Sequence, residues 1–159
     1  MNISIQAGGS DRDLYDSLFD TVSALLEGES DLTANLANVS AVIKEMTRLW
    51  WVGFYLVKEG QLVLGPFQGP VACTRIPFDK GVCGACYSSR QTIVVEDVEK
   101  FPGHIACSAT SRSEMVVPVF HRNGTVAMVL DLDSEYPARF QASDQAGMER
   151  IARLIERKL

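Results

Sequence analysis

The sequence predicts an α+β fold, an antiparallel sheet flanked by helices from the N-terminal and C-terminal ends of the chain. Three observations carry this. Apolar residues recur at helical spacing near both ends. The stretch between them alternates at a period of two and is broken by hairpin turns. The 159 residues, 47% of them apolar and 22% charged, suit one packed domain over 1–159.

Residues 11–27 form the first expected helix, with Leu14, Leu18, Phe19, Val22, Leu25 and Leu26 on one face. Ser10 or Asp11 can cap its start and Gly28 its end. Leu14 and Leu18 are candidates for a face that pairs two copies of the chain. Residues 31–48 repeat the pattern through Leu32, Leu36, Val39, Val42, Ile43 and Met46. The aromatic and β-branched run 50–57 reads as a strand, turned by Lys58-Glu-Gly-Gln61 into a second strand at 62–67. Residues 68–91 hold most of the Gly, Pro and Cys and read as a long working loop. A short strand is expected at 92–96. Strands at 115–121 and 125–133 are joined by Asn123-Gly124, a strong two-residue hairpin signal. Residues 143–158 form the last helix, capped by Ser143, with Met148, Ile151, Leu154 and Ile155 on one side.

Composition excludes several classes. Fifteen Lys and Arg against twenty Asp and Glu give a formal net charge of −5, with no basic block, which argues against nucleic-acid binding. No stretch approaches the length of an apolar membrane span, and the first residues lack a secretory pattern. The expected location is the cytoplasm, where thiols stay reduced. Four cysteines, Cys73, Cys83, Cys86 and Cys107, then point to metal or redox chemistry before structural disulfides.

The second hairpin gathers acids. With Asn123 and Gly124 as its loop, Arg122 pairs with Thr125, Val116 with Asp131 and Glu114 with Asp133. Period-two alternation puts Asp131 and Asp133 on one face with Glu114 beside them, and Val126, Met128, Leu130 and Leu132 on the other. Like charges set opposite each other call for a cation or for a retained proton. A solvated strand end, a metal ion and a substrate ammonium all answer to this pattern. On the first strand, Trp51, Gly53 and Tyr55 share a face, reading either as core packing or as an aromatic notch.

The cysteines carry two rival readings. Cys83-x2-Cys86 and His104-x2-Cys107, seventeen residues apart, have the spacing of paired zinc ligands. A redox reading makes Cys107 a thiolate near His104 and Arg112, with three other cysteines able to resolve its sulfenic acid.

Three blocks, "GPFQGPVACTRIPFDKGVCG" (65–84), "FPGHIACSATSRSEMVVP" (101–118) and "VLDLDS" (129–134), together resemble the free methionine-(R)-sulfoxide reductases, which are stand-alone GAF-domain enzymes. "WVGFYL" (51–56) fits the same family. The resemblance runs from about the second helix to the end. It implies Cys107 as nucleophile, Cys73 as main resolving cysteine and Cys83 as a further one. It implies Glu114, Asp131 and Asp133 as substrate-binding acids, and Trp51 and Tyr55 as pocket aromatics. It further implies a GAF fold, a homodimer, free methionine (R)-sulfoxide as substrate and recycling by thioredoxin, with no metal or organic cofactor. Ser108 stands where the family often has Asp, and Cys86 lies outside the family pattern. A ligand-binding GAF sensor and a zinc-stabilised binding domain are the alternatives.

Overall fold

The computed structural model describes residues 10–105, 107 and 109–159; the Ser108 departure lies outside them. Four α-helices and six strands follow in the order α1 (Asp11–Glu27), α2 (Leu32–Thr47), β1 (Trp51–Lys58), β2 (Gln61–Gln68), β3 (Arg75–Ile76), α3 (Gly81–Ser89), β4 (Ile93–Val95), β5 (Ser113–Phe120), β6 (Val126–Ser134) and α4 (Ala142–Glu156). The strands form one sheet in the order β3-β2-β1-β6-β5-β4, antiparallel at every junction.

The terminal helices form where their apolar faces have a sheet to cover. Ser10 starts α1 with a reciprocal cap: its hydroxyl accepts from Asp13 N–H at 3.3 Å, and the Asp13 carboxylate accepts from Ser10 N–H at 3.2 Å. Asp31 caps α2 by accepting from Ala34 N–H at 2.8 Å. Helices α1, α2 and α4 lie on one face of the sheet, where Leu18, Ile43, Phe54, Leu130 and Ile151 share a core with no exposure to water. Leu18 is therefore inside the chain's own core and cannot serve a dimer surface. Leu14 is half-buried.

Two details of α4 differ from expectation. It begins at Ala142, and its first turn is tied by the Asp144 carboxylate accepting from Gln141 N–H at 2.7 Å. Ser143 instead donates to Asp11 at 3.2 Å, holding the starts of α1 and α4 together. Asp144 also accepts from the Tyr15 hydroxyl at 2.6 Å and faces Arg139. An acid free to receive all three donors serves there better than a serine would.

The segment read as one long loop contains β3 and a helix, α3, on the opposite face of the sheet from the other three. Gly81 and Gly84 lower its intrinsic propensity, so its sequence carries no helical signal. Packing requires one of them: a Cβ on Gly84 would stand 2.8 Å from the Phe78 carbonyl oxygen.

Turn geometry also departs from its sequence signal. Lys58 pairs with Gln61, and Glu59 and Gly60 both take positive φ, so this is the tight two-residue hairpin. The Asn123-Gly124 turn is one residue longer: His121 N–H donates to Thr125 O at 2.8 Å, leaving Arg122, Asn123 and Gly124 as the loop. A bulge between Val119 and Phe120 then restores the expected register, and Glu114 opposes Asp133 while Val116 opposes Asp131. The same bulge turns Val126 onto the acid-bearing face and Ala127 toward the helices, reversing the expected side of Val126.

Candidate active site

The central strands β1, β6 and β5 aim Trp51, Tyr55, Asp131, Asp133 and Glu114 away from the three-helix face, into a cavity roofed by α3 and two loops. The cavity is about 50 Å³. Val82 and Cys83 of α3 form one wall, and His104, Ile105, Cys107 and Ser111 form the side toward the second loop. Among the expected site residues, Cys73 alone is not in the wall. It joins the site through a disulfide to Cys107, with their Cα atoms 5.3 Å apart.

The two loops are tied down by the residues beneath them. The Tyr55 hydroxyl donates to the Cys73 carbonyl at 2.8 Å, and the Trp51 indole N–H donates to the Pro70 carbonyl at 3.0 Å. Gly81 N–H donates to the Gly103 carbonyl at 3.1 Å, joining α3 to the Cys107 loop. The aromatic notch expected over Gly53 is filled by Trp51 itself. A Cβ on Gly53 would lie 2.6 Å from the Trp51 ring, which stacks on Phe67 at 5.2 Å between centroids. Trp51 and Tyr55 thus hold the Cys73 loop to the sheet as well as lining the cavity.

The acids sit in an unusual electrostatic setting. Glu114 and Asp131 are only 7% and 6% exposed. Burial, reinforced by the Asp133 charge, pushes the Glu114 carboxyl up to about 8. Asp131 and Asp133 are also raised well above the usual carboxylate range, by burial first and by neighbouring acids second. The Ser111 hydroxyl donates to Asp133 Oδ1 at 2.9 Å and partly offsets this. Asp131 Oδ1 is buried with no hydrogen-bond partner among the described residues. The basic side chain among the described residues of the wall is His104, which burial drives toward its neutral form. Raised carboxyls, an orphaned oxygen and, among the described residues, no fixed counter-charge make a receptor for a cation.

These shifts have a stability consequence. A carboxyl raised to about 8 in the fold, against roughly 4.3 in the unfolded chain, retains a proton that unfolding releases. Its contribution is complete below the unfolded value and is lost as pH rises through the folded value. The ligand-free, disulfide-bonded protein should therefore melt at least ~5 °C lower at pH 8.5 than at pH 5.5, and Glu114→Gln should flatten the profile. Calorimetry across that range checks this; a Tm that is flat or rises with pH contradicts it.

The zinc set expected from spacing is not assembled, because Cys107 is bonded to Cys73. Among the described residues, the Cys, His and acid group close enough to share an ion is Cys83 with Glu114 and Asp131, its ligand atoms within 4.8 Å of one another. Cys86 is fully buried on α3.

Sequence reasoning missed Ser111, Trp50 and Ile105, which also line the cavity. Strand parity would place Ser111 with Met115 on the helix side. The chain leaves the extended course before Ser113, so parity fails there, and no sequence signal marks the departure.

A family model for the GAF domain matches residues 31–159. The chain is 43% identical over 148 residues to the free methionine-R-sulfoxide reductase of Escherichia coli strain K12, covering 92% of this chain and 89% of that protein. It is 37% identical over 153 residues to the free methionine-R-sulfoxide reductase of Saccharomyces cerevisiae, covering 91% and 85%. Among solved structures, that of the free methionine-R-sulfoxide reductase of Neisseria meningitidis in complex with its substrate superposes with a TM-score of 0.93 at 46% identity, over 98% of this chain and 94% of that one.

Proposed function

This chain belongs to the free methionine-R-sulfoxide reductases of the GAF-domain family, and from that premise we propose that it reduces free L-methionine (R)-sulfoxide through a cysteine sulfenic acid and a Cys73–Cys107 disulfide. It is an oxidoreductase acting on free methionine sulfoxide. The observation that carries the mechanism is the position of the disulfide at the mouth of a cavity floored by three raised carboxyls.

In the reduced enzyme the substrate ammonium enters the acid cluster and replaces protons on part of it, while one carboxyl keeps its own. Glu114, Asp131 and Asp133 read the charge that marks a free amino acid, since a methionine sulfoxide inside a polypeptide has no ammonium to offer. The Cys107 thiolate attacks the sulfoxide sulfur, and a carboxyl of the cluster protonates the oxygen as the S–O bond breaks. The oxygen is transferred as hydroxyl to Cys107 Sγ while the transient bond between Cys107 and the substrate sulfur breaks, its electron pair staying on the substrate sulfur; Cys107 becomes a sulfenic acid and methionine leaves. The Cys73 thiol then displaces that oxygen as water and forms the disulfide. An external dithiol reduces the disulfide by exchange and is itself oxidised to a disulfide.

Thioredoxin is the reductant of this reading. Both bonded cysteines are only half-buried, and the adjoining Val71 is 89% exposed, so a partner dithiol can approach. The reading also includes a homodimer and a cytoplasmic setting, where a dithiol supply is maintained. Cys83 lies in the cavity wall, where burial and the neighbouring acids hold its thiol well above its ordinary pKa. This argues against Cys83 as the nucleophile.

The test is NADPH oxidation coupled through thioredoxin reductase and thioredoxin, run with each sulfoxide diastereomer of free methionine. Turnover of the (R) form with at least about 10²-fold preference over the (S) form is expected. Binding of the (R) form without NADPH consumption would identify a sensor instead.

A further inference from the structure

Three ligand atoms from three different elements converge in the cavity. They are Cys83 Sγ from α3, a carboxylate oxygen of Glu114 from β5 and one of Asp131 from β6, all within 4.8 Å of one another and all buried. Asp131 Oδ1, in a side chain more than nine-tenths buried, lines this cavity with no hydrogen-bond partner among the described residues. A substrate ammonium uses the acids alone; the Cys83 thiol set beside them is a poor partner for ammonium and a good one for a softer cation.

We propose that Cys83, Glu114 and Asp131 form a binding site for a divalent, thiolate-seeking cation, with Zn²⁺ the best fit, which occupies the cavity in place of the substrate's ammonium and holds the enzyme inactive. The donor set decides the metal. One sulfur and two carboxylates suit a borderline-soft ion with tetrahedral preference, whereas Mg²⁺ and Ca²⁺ favour oxygen alone. Ligand atoms bound at about 2.0–2.3 Å from zinc stand roughly 3.3–3.8 Å apart, so modest side-chain rotations from the observed spacing close the site. Three protein ligands leave a fourth position for water, and a cavity of about 50 Å³ accommodates an ion with its water. Binding releases the Cys83 thiol proton and any carboxyl protons to solvent, and replaces mutual repulsion among the acids with attraction to the metal. This set shares only Cys83 with the ligands that sequence spacing indicates.

The experiment uses the protein with its Cys73–Cys107 disulfide formed, so that neither thiol can compete for metal. Zn²⁺ alone is titrated against a chromophoric chelator, with Mg²⁺ as control. One Zn²⁺ per chain at micromolar affinity or tighter is expected, with no displacement by Mg²⁺. Cys83→Ser should weaken binding by at least about 10²-fold and Asp131→Asn by at least about 10-fold, while Cys86→Ala leaves it unchanged. Co²⁺ added to the unmodified chain should show a thiolate-to-cobalt charge-transfer band, which needs no variant to fold. Binding that survives Cys83→Ser, or a cobalt spectrum without that band, overturns the site. The inhibitory arm rests on the reductase reading: Zn²⁺ should compete with the sulfoxide and be reversed by chelator. Zinc inhibition of equal strength in Cys83→Ser overturns that arm, while titration of the oxidised protein judges the site whether or not the chain is a reductase.

Discussion

Replacing Cys107 with serine is expected to lower reduction of free methionine (R)-sulfoxide by at least about 10³-fold, to background, because a hydroxyl is far too weakly ionised near neutral pH to stand in for a thiolate. Cys73→Ser should behave differently. Cys107 can still attack, so one methionine per chain is released without added thiol. Turnover then stalls, leaving a sulfenic acid on Cys107 that a dimedone-type probe traps. Without the disulfide the two loops keep their backbone anchors, Tyr55 on the Cys73 carbonyl and Gly81 on the Gly103 carbonyl. Each serine variant should therefore keep the native fold, which circular dichroism checks. Near wild-type turnover by Cys107→Ser would sink the mechanism.

Neutralising the acid cluster carries the second large effect. Asp131→Asn and Glu114→Gln should each cut kcat/KM by at least about 10²-fold, as expected when a buried charge contact or a general acid is lost. The apo protein should meanwhile be stabilised at alkaline pH, since each substitution removes a buried carboxyl whose charged form burial disfavours. Loss of activity joined to gain of stability separates a binding role from a structural one. N-acetylmethionine sulfoxide tests the same contact from the other side. It lacks the ammonium, so it should react at least about 10²-fold more slowly than the free amino acid. Equal rates on the two compounds would show that the acids do not read the amino group.

The parts of the site that were legible in the sequence are those governed by short-range geometry. Helices α1, α2 and α4 follow from a period of 3.6, and the ends of α1 from Ser10 and Gly28, whereas the cap expected at Ser143 did not form. The opposition of Glu114 to Asp133 follows from strand parity. The turn between those strands is a residue longer than its Asn-Gly signal implies, and the facing was still right over most of β6. A bulge absorbed the extra residue before the acids were reached, at the cost of Val126 alone. What stayed hidden depends on contacts between distant segments. Helix α3 is held by packing Gly84 against the Phe78 backbone, so propensity gave no sign of it. Trp51 folds over Gly53 because Phe67 of the neighbouring strand offers a stacking surface. Four cysteines allow three complete pairings, and spacing does not choose among them. The Cys73–Cys107 pairing was reached through family resemblance, and the fold accounts for it by bringing two loops 34 residues apart over the same sheet face.

The central claim is that two electrons leave Cys107 for the sulfoxide and return through Cys73. A single-turnover experiment tests it most directly: fully reduced protein, freed of thiols, is mixed with excess free methionine (R)-sulfoxide, quenched with alkylating agent and analysed for methionine and for cysteine state by peptide mapping. The predicted result is one methionine released per chain, with loss of two free thiols and a Cys73–Cys107 disulfide, while Cys83 and Cys86 remain alkylatable. Release of methionine with Cys73 and Cys107 both still reduced, or with the disulfide formed between Cys83 and Cys86, would contradict the account.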